Sequence, residues 1–347
     1  MIRATGGGSM QREKRIVLAH GGGGQVTDEF LRDVIRPRFS NTSLDMLDDS
    51  ALLDVGSGRI AFTTDSYVVH PVEFPGGDIG RLAVCGTVND LAVCGAEARW
   101  ISLGLIVEEG FSIETLERLL DSASEAAREA GVEVVTGDTK VVARGQADGI
   151  YINTAGVGEM RGGVELSAGR VRVGDAVLLS GTIADHGMAI MLQREDATGV
   201  RSTLESDVAP INGLVRDVIG AAPGVRFMRD PTRGGLSGVL SDLAEQSGQR
   251  VRIDETAIPM RRETLYAAEM LGLDPLDVAN EGKVVVVVPE DEAPAALDAM
   301  RGHERGREAA LIGRIGEEAD GLCELITDVG GRRVLLKPYG EELPRIC

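Results

Sequence analysis

The sequence predicts a two-domain α+β protein with a flexible C-terminal tail, and three observations predict it. The chain has 347 residues, of which 43% are hydrophobic, enough for two medium cores. Strand-like and helix-like segments alternate from about residue 60, pause in a polar, glycine-rich stretch near 158–174, and then restart. The final segment, RRVLLKPYGEELPRIC, holds one short strand and then a stretch with two prolines, which resist helix formation. Residues 1–15 are thus read as a flexible arm, 16–165 as a first domain, 166–334 as a second, and 335–347 as a mobile tail.

The elements follow in order. Residues 1–15 combine Gly, Ser and charge without periodicity, which predicts the arm. Next comes LAHGGGGQ, whose glycines lose too much backbone entropy to build a core element. Gly22, Gly23 and Gly24 can instead bring backbone N–H groups close to a phosphate, with a plain hinge as the alternative. RIAFTTD reads as a strand ending at Asp65, and DIGRLAVCGTVNDLAV as a helix capped by Asp78 and interrupted at Asn89 and Asp90. SIETLERLLDSASEAAREAG is an amphipathic helix stopped by Gly131, and VEVVTGDTK and GIYINTAGVG are strands. In the second domain DAVLLSG and KVVVVVP read as strands, and HGMAIMLQRE and RGGLSGVLSDLAEQSG as helices.

Charge narrows the partners. With 36 basic against 55 acidic residues the formal charge is -19, which disfavours nucleic acid and anionic membranes. The absence of an 18-residue apolar run and of an apolar leader predicts a cytoplasmic protein with no membrane span. Cys85, Cys94, Cys323 and Cys347 form no CxxC pair, so neither a zinc site nor a disulfide framework is expected. Cys347 is the last residue, a thiol on an expected loose end.

Four acidic stretches stand out: LDDS, TTDS, VNDL and TGDTK. Buried carboxylates that converge repel one another, and a divalent cation relieves that repulsion. Asp49, Asp65, Asp90 and Asp138, with Asp48 beside them, are the Mg²⁺ candidates, and Lys140 is a phosphate contact. Each Asp alone could be an ordinary turn or cap residue. No usable GxGxxG or GxxxxGK[ST] occurs. In the second domain, ADHG, RDPTRGG and ANEGK mark polar turns. Arg233 and Gly234 could receive an anion, and Asp185 and His186 could orient a substrate. Glu281 is a candidate proton acceptor, with turn or packing roles as alternatives for it and for His186.

Taken together, LDDSALL, FTTDSYVV, FPGGDIGRLAVCGTVNDLAVCGAE, TGDTKVV, DHG, MRDPTRGG, ANEGK and the terminal PRIC resemble the HypE family of hydrogenase maturation factors. That family sits among ATP-binding synthetases that include aminoimidazole ribonucleotide synthetase, selenophosphate synthetase and thiamine-monophosphate kinase. The resemblance implies an aminoimidazole ribonucleotide synthetase-like fold, a homodimer with nucleotide sites at the association of the N-terminal domains, and use of ATP and Mg²⁺. It implies that a HypF-type carbamoyltransferase loads a carbamoyl group onto Cys347. ATP then drives its dehydration to a thiocyanate, with Glu281 or His186 as the base, and the cyanide passes through a HypC and HypD complex to the iron of a [NiFe] hydrogenase. A small-molecule kinase or synthetase of the same superfamily is one alternative, and a non-catalytic assembly protein docking through its tail is another.

Overall fold

The computed structural model describes residues 18–21, 24–39, 49–56, 58–194, 202–340 and 345–347. The N-terminal arm, Gly22, Gly23 and Asp48 lie outside them. Two short helices, α1 (Gln25–Phe30) and α2 (Arg36–Phe39), precede the first sheet.

The first domain contains β1 (Ala51–Val55), β2 (Gly58–Tyr67), the hairpin β3 (Glu73–Phe74) and β4 (Gly77–Asp78), α3 (Ile79–Val93), β5 (Ala96–Glu108), α4 (Ile113–Ala130), β6 (Glu133–Val142) and β7 (Ile150–Met160). Its main sheet runs in the order β1-β2-β7-β5-β6, parallel only between β5 and β6. Helix α3 starts where expected: Asp78 Oδ1 accepts from the N–H groups of Gly80 and Arg81 at 2.7 and 2.9 Å. Helix α4 begins at its Ser112 cap and ends at Gly131 in the left-handed conformation, φ 72°. The two helices pack so closely that a Cβ on Gly80 would lie 2.1 Å from the Leu119 carbonyl oxygen. They cover one face of the sheet. On the other face Phe62, Trp100 and Ile106 are exposed, at 41%, 44% and 44%.

The second domain contains β8 (Ala176–Leu179), α5 (Asp185–Arg194), α6 (Asn212–Ala221), β9 (Phe227–Arg229), α7 (Gly235–Ser247), β10 (Val251–Asp254), α8 (Arg262–Leu271), β11 (Val285–Val288), α9 (Ala293–Gly302), β12 (Ala310–Ile315), β13 (Cys323–Ile326) and β14 (Arg332–Leu335). Its sheet runs β14-β13-β10-β12-β8-β11-β9. Val285 and Val287 belong to one core and Val286 and Val288 to another, so β11 is buried on both faces. This explains its unbroken valine run, since a strand covered on both sides needs no polar alternation.

Asn89 joins the domains. Its side-chain N–H groups donate to the Ala209 and Glu281 carbonyls at 3.1 and 3.3 Å, and its oxygen accepts from Ile211 N–H at 2.9 Å. The residue that broke the helical pattern is an interdomain pin with all its polar atoms used.

Candidate functional site

The polar turns of the second domain are clamped together before they meet the first. Asn280, fully buried, accepts from Ala184 N–H at 2.7 Å and donates to the Pro231 and Val278 carbonyls at 2.8 and 3.1 Å. The ANEGK, ADHG and RDPTRGG turns are therefore tied together through Asn280. Ala184 is held at φ 68°, a strained backbone for a residue with a Cβ, immediately before α5.

Against this unit lies an acidic cluster drawn from both domains. Asp49 precedes β1, Asp65 lies on the helix-covered face of β2, Asp90 ends the polar break in α3, Asp230 follows β9, and Glu281 precedes β11. Arg229 Nε donates to Asp49 Oδ2 at 3.0 Å, and Tyr67 O–H donates to Asp65 Oδ2 at 3.2 Å. The Thr63 hydroxyl lies 2.8 Å from Asp90 Oδ2.

Burial, then the charges of Asp65, Asp230 and Asp49, pushes the Asp90 carboxyl well above the ordinary range. Burial, then Asp49, raises Asp230 to about 8. Glu281 is also raised well above its usual value, by burial first and then by Asp230, Asp207 and Asp65. Its Oε1 is buried without a hydrogen-bond partner. These groups retain protons because there is too much negative charge in too little water.

That excess charge fits a divalent cation. Among the described residues, however, no three Asp, Glu, His or Cys side chains close on one point as a finished metal centre. Asp49, Asp65 and Asp90 are the members of the expected set that come together. Asp138 does not join them within one chain: it lies on β6, at the opposite edge of the sheet from β1, and pairs with Lys140 at 2.8 Å. The register aligns Asp138 with Gly104 and Lys140 with Ile106, so both belong to the open face of the sheet. Asp138 sits within a strand and Asp90 within a helix.

Gly24 also has a local task. Its backbone is extended, and a Cβ there would lie 2.3 Å from the Pro338 carbonyl oxygen. Gln25 and Val26 N–H groups donate to the Pro338 and Tyr339 carbonyls at 3.0 and 3.2 Å, so the start of α1 secures the root of the tail.

The tip of the tail is docked between the domains. Val68 N–H donates to the Cys347 carbonyl at 3.1 Å and His70 N–H to the Arg345 carbonyl at 3.2 Å, pinning the tip to the backbone just beyond the end of β2. Arg345 donates to the Val68 carbonyl at 2.8 Å and pairs with Asp148. Arg194 donates to the carbonyls of His70 and Arg345. Ile346 is 3% exposed within the first-domain core, and Cys347 packs against the same cluster. Burial of an isoleucine side chain stabilises the docked state by ~2 kcal/mol.

His186 lies beneath the tip, fully buried. Its Nε2 is 2.9 Å from the Ile346 carbonyl oxygen and its Nδ1 2.7 Å from Ser206 Oγ. The ring expected as a possible proton acceptor thus has both nitrogens engaged. Arg233, on the exposed rim, is held more firmly charged, chiefly by Cys347 and then by Asp65 and Glu281. Gly234, in the left-handed conformation at φ 81°, leads into α7 beside it. Cys85 and Cys323 are buried, and burial pushes both thiols up to about 12. Neither ionises near neutral pH.

Sequence reasoning missed Asp230, Arg229, Asn89 and Asn280 as parts of this site. Asp230 had a readable signal: a carboxylate directly after an apolar strand and directly before a proline.

Residues 47–160 match AIR synthase related protein, N-terminal domain, and residues 172–323 match AIR synthase related protein, C-terminal domain. Carbamoyl dehydratase HypE of Rhodobacter capsulatus is 48% identical over 339 residues, 97% of this chain and 99% of that protein. A crystal structure of hydrogenase maturation protein HypE in complex with ATP is similar with a TM-score of 0.80 and 43% identity, covering 96% of this chain and 100% of that one. The crystal structure of a HypE-HypF complex is similar with a TM-score of 0.84 and 43% identity, covering 89% of this chain and 99% of that chain. Agreement of this extent, running through both domains and the cleft between them, means that the chain belongs to the carbamoyl dehydratase family, HypE.

Proposed function

We propose that this protein uses ATP to dehydrate a carbamoyl group carried on its own Cys347, giving a thiocyanate that donates cyanide for the iron centre of a [NiFe] hydrogenase. The observation that supports it most directly is the docking of the terminal cysteine between the domains, where Arg233 is held charged both by Cys347 and by Asp65 and Glu281 of the acidic cluster. An amide oxygen leaves poorly. Once it has accepted the γ-phosphoryl group it departs as phosphate, while the nitrogen gives up two protons and the carbon–nitrogen bond becomes triple.

The residues divide this work. Glu281, buried and without a hydrogen-bond partner on Oε1, takes a proton from nitrogen once its own carboxyl has ionised. The guanidinium of Arg233 faces the negative charge that develops on the transferred group, with Gly234 beside it. Asp49, Asp65 and Asp90 would hold Mg²⁺, with Asp48 and Asp138 as further candidates; the ion would supply charge neutralisation of the triphosphate. Gly22, Gly23, Gly24 and Lys140 are the proposed nucleotide contacts.

Cys347 receives its carbamoyl group from a HypF-type partner and surrenders cyanide to a HypC/HypD-type acceptor, so the tail must leave its dock and return. We assign the protein to the cytoplasm; among the described residues no helix is long and apolar enough to cross a membrane. We also infer a homodimer built on the open face of the first sheet. Exposed Phe62, Trp100 and Ile106 support it, as does β6, an uncovered edge strand of the same sheet. Asp138 and Lys140 share that face and reach a nucleotide only if a second copy packs there.

Intact-protein mass spectrometry of carbamoylated protein before and after MgATP tests the reaction. Loss of one water, located on the C-terminal peptide, is expected. A carbamoyl mass that persists while ATP is consumed would sink the reading and favour a small-molecule substrate.

A further inference from the structure

The hydrogen bonds around His186 determine which of its nitrogens carries the proton. Nε2 faces the Ile346 carbonyl oxygen, an obligate acceptor, at 2.9 Å and must carry the N–H. In the neutral ring Nδ1 is then the acceptor and takes the Ser206 hydroxyl hydrogen at 2.7 Å, while Ser206 Oγ also accepts from Val208 N–H at 3.1 Å. The ring cannot turn away. It packs edge-on against Phe74 at 5.6 Å, and its backbone follows the strained Ala184, itself tied to Asn280.

We propose that His186 is the positioning residue for the tail, fixing where the Cys347 sulfur stands, and that it takes no proton from the carbamoyl group. The Ile346 carbonyl belongs to the peptide bond that leads into Cys347. Val68 N–H holds the next carbonyl, that of Cys347 itself, at 3.1 Å. The terminal residue is thereby gripped through the backbone oxygens on either side of its Cα. A proton acceptor needs an available lone pair, and the single lone pair of this neutral ring is already occupied by Ser206. Burial, which lowers the basicity of His186, acts in the same direction. The inference rests on the dehydration reading for its chemistry, but the docking itself can be measured without that reaction.

The test uses the full-length protein and three variants, His186→Ala, His186→Gln and Ser206→Ala, each checked for an unchanged melting profile. The first readout is the rate at which iodoacetamide alkylates Cys347 in unmodified protein without ATP, with the site located by the C-terminal peptide. A single hydrogen bond corresponds to about a fivefold to tenfold change in equilibrium. His186→Ala should therefore be alkylated about fivefold to tenfold faster, with Ser206→Ala between it and the wild type. His186→Gln, whose amide can still donate to the Ile346 carbonyl, should restore part of the protection. The second readout is the pH profile of single-turnover dehydration. The acid limb should keep its midpoint in His186→Gln while the rate drops.

Alkylation rates that are equal in all four proteins would overturn the positioning role. Disappearance of the acid limb in His186→Gln would also overturn it, by making His186 the base. Absence of dehydration in the wild type would remove the reaction assigned above, and the alkylation series would still decide whether His186 holds the tail.

Discussion

Replacing Glu281 by Gln separates two consequences of one environment. The side chain is 3% exposed, and its neighbours Asp230, Asp207 and Asp65 add to burial in raising its pKa. The native state therefore keeps a proton that the unfolded chain has lost above the ordinary value of 4.5. Stability then falls as pH rises through the window between 4.5 and the raised native value. Gln has no proton to lose, and its N–H groups can donate to the surrounding carboxylates. The variant should match the wild type near pH 4 and be equally or more stable at pH 8. Its chemistry should change in the opposite sense. Loss of a positioned base costs about 10²–10⁴ in rate, or ~3–5 kcal/mol of barrier. Urea unfolding at the two pH values and single-turnover mass spectrometry of the carbamoylated protein measure both effects. A variant that dehydrates at the wild-type rate refutes the assignment of Glu281 as base. One that is markedly less stable at pH 8 refutes the account of its burial.

Two further outcomes follow from the same geometry. Asp230, raised from 3.8 to about 8, also makes the native state hold an extra proton between those values, so stability again falls as pH rises. At 1.36 kcal/mol per unit the ceiling for removing this group is ~6 kcal/mol, and relaxation of the cleft reduces it to ~2 kcal/mol. Asp230→Asn should gain that much at pH 8 in metal-free urea titrations and nothing below pH 4; equal midpoints at pH 8 would contradict the repulsion described. On the open sheet face, if the proposed homodimer forms there, Ile106→Glu should give a monomer in sedimentation velocity without changing the melting temperature of the first domain by more than ~2 °C. A dimer that survives this change must use another surface.

Much of the fold was legible because its signals are local. Asp78 and Ser112 cap helices with their own side chains, and Gly131 ends one in a conformation that glycine adopts freely. Asn89 and Asp90 misled the reading of α3 because an amphipathic template assumes a wet face. Helix α3 has almost none: 13 of its 15 residues are buried, so Asn89 within it meets the other domain and Asp90 bonds Thr63 of its own sheet. The acidic cluster was half visible. Asp49, Asp65 and Asp90 could be chosen by type, but Asp138 has the same local signature and faces the other way. A strand reveals which residues alternate and not which sheet edge it occupies. Arg229 and Asp230 acquire meaning only when the second domain folds over the first. His186 was legible as important, yet its task is set by Ser206 and Ile346, 20 and 160 residues away.

The way the tail tip is held carries its own lesson. Val68, His186 and Arg194 all bind carbonyl oxygens of the last three residues, while Arg345 and Ile346 supply the side-chain anchors. None of these hydrogen bonds involves the sulfur of Cys347. These bonds read only the address: a thiol, a carbamoyl thioester and a thiocyanate all present the same backbone to them. Any discrimination between a loaded and an unloaded tail then falls to Arg233, which Cys347 holds charged.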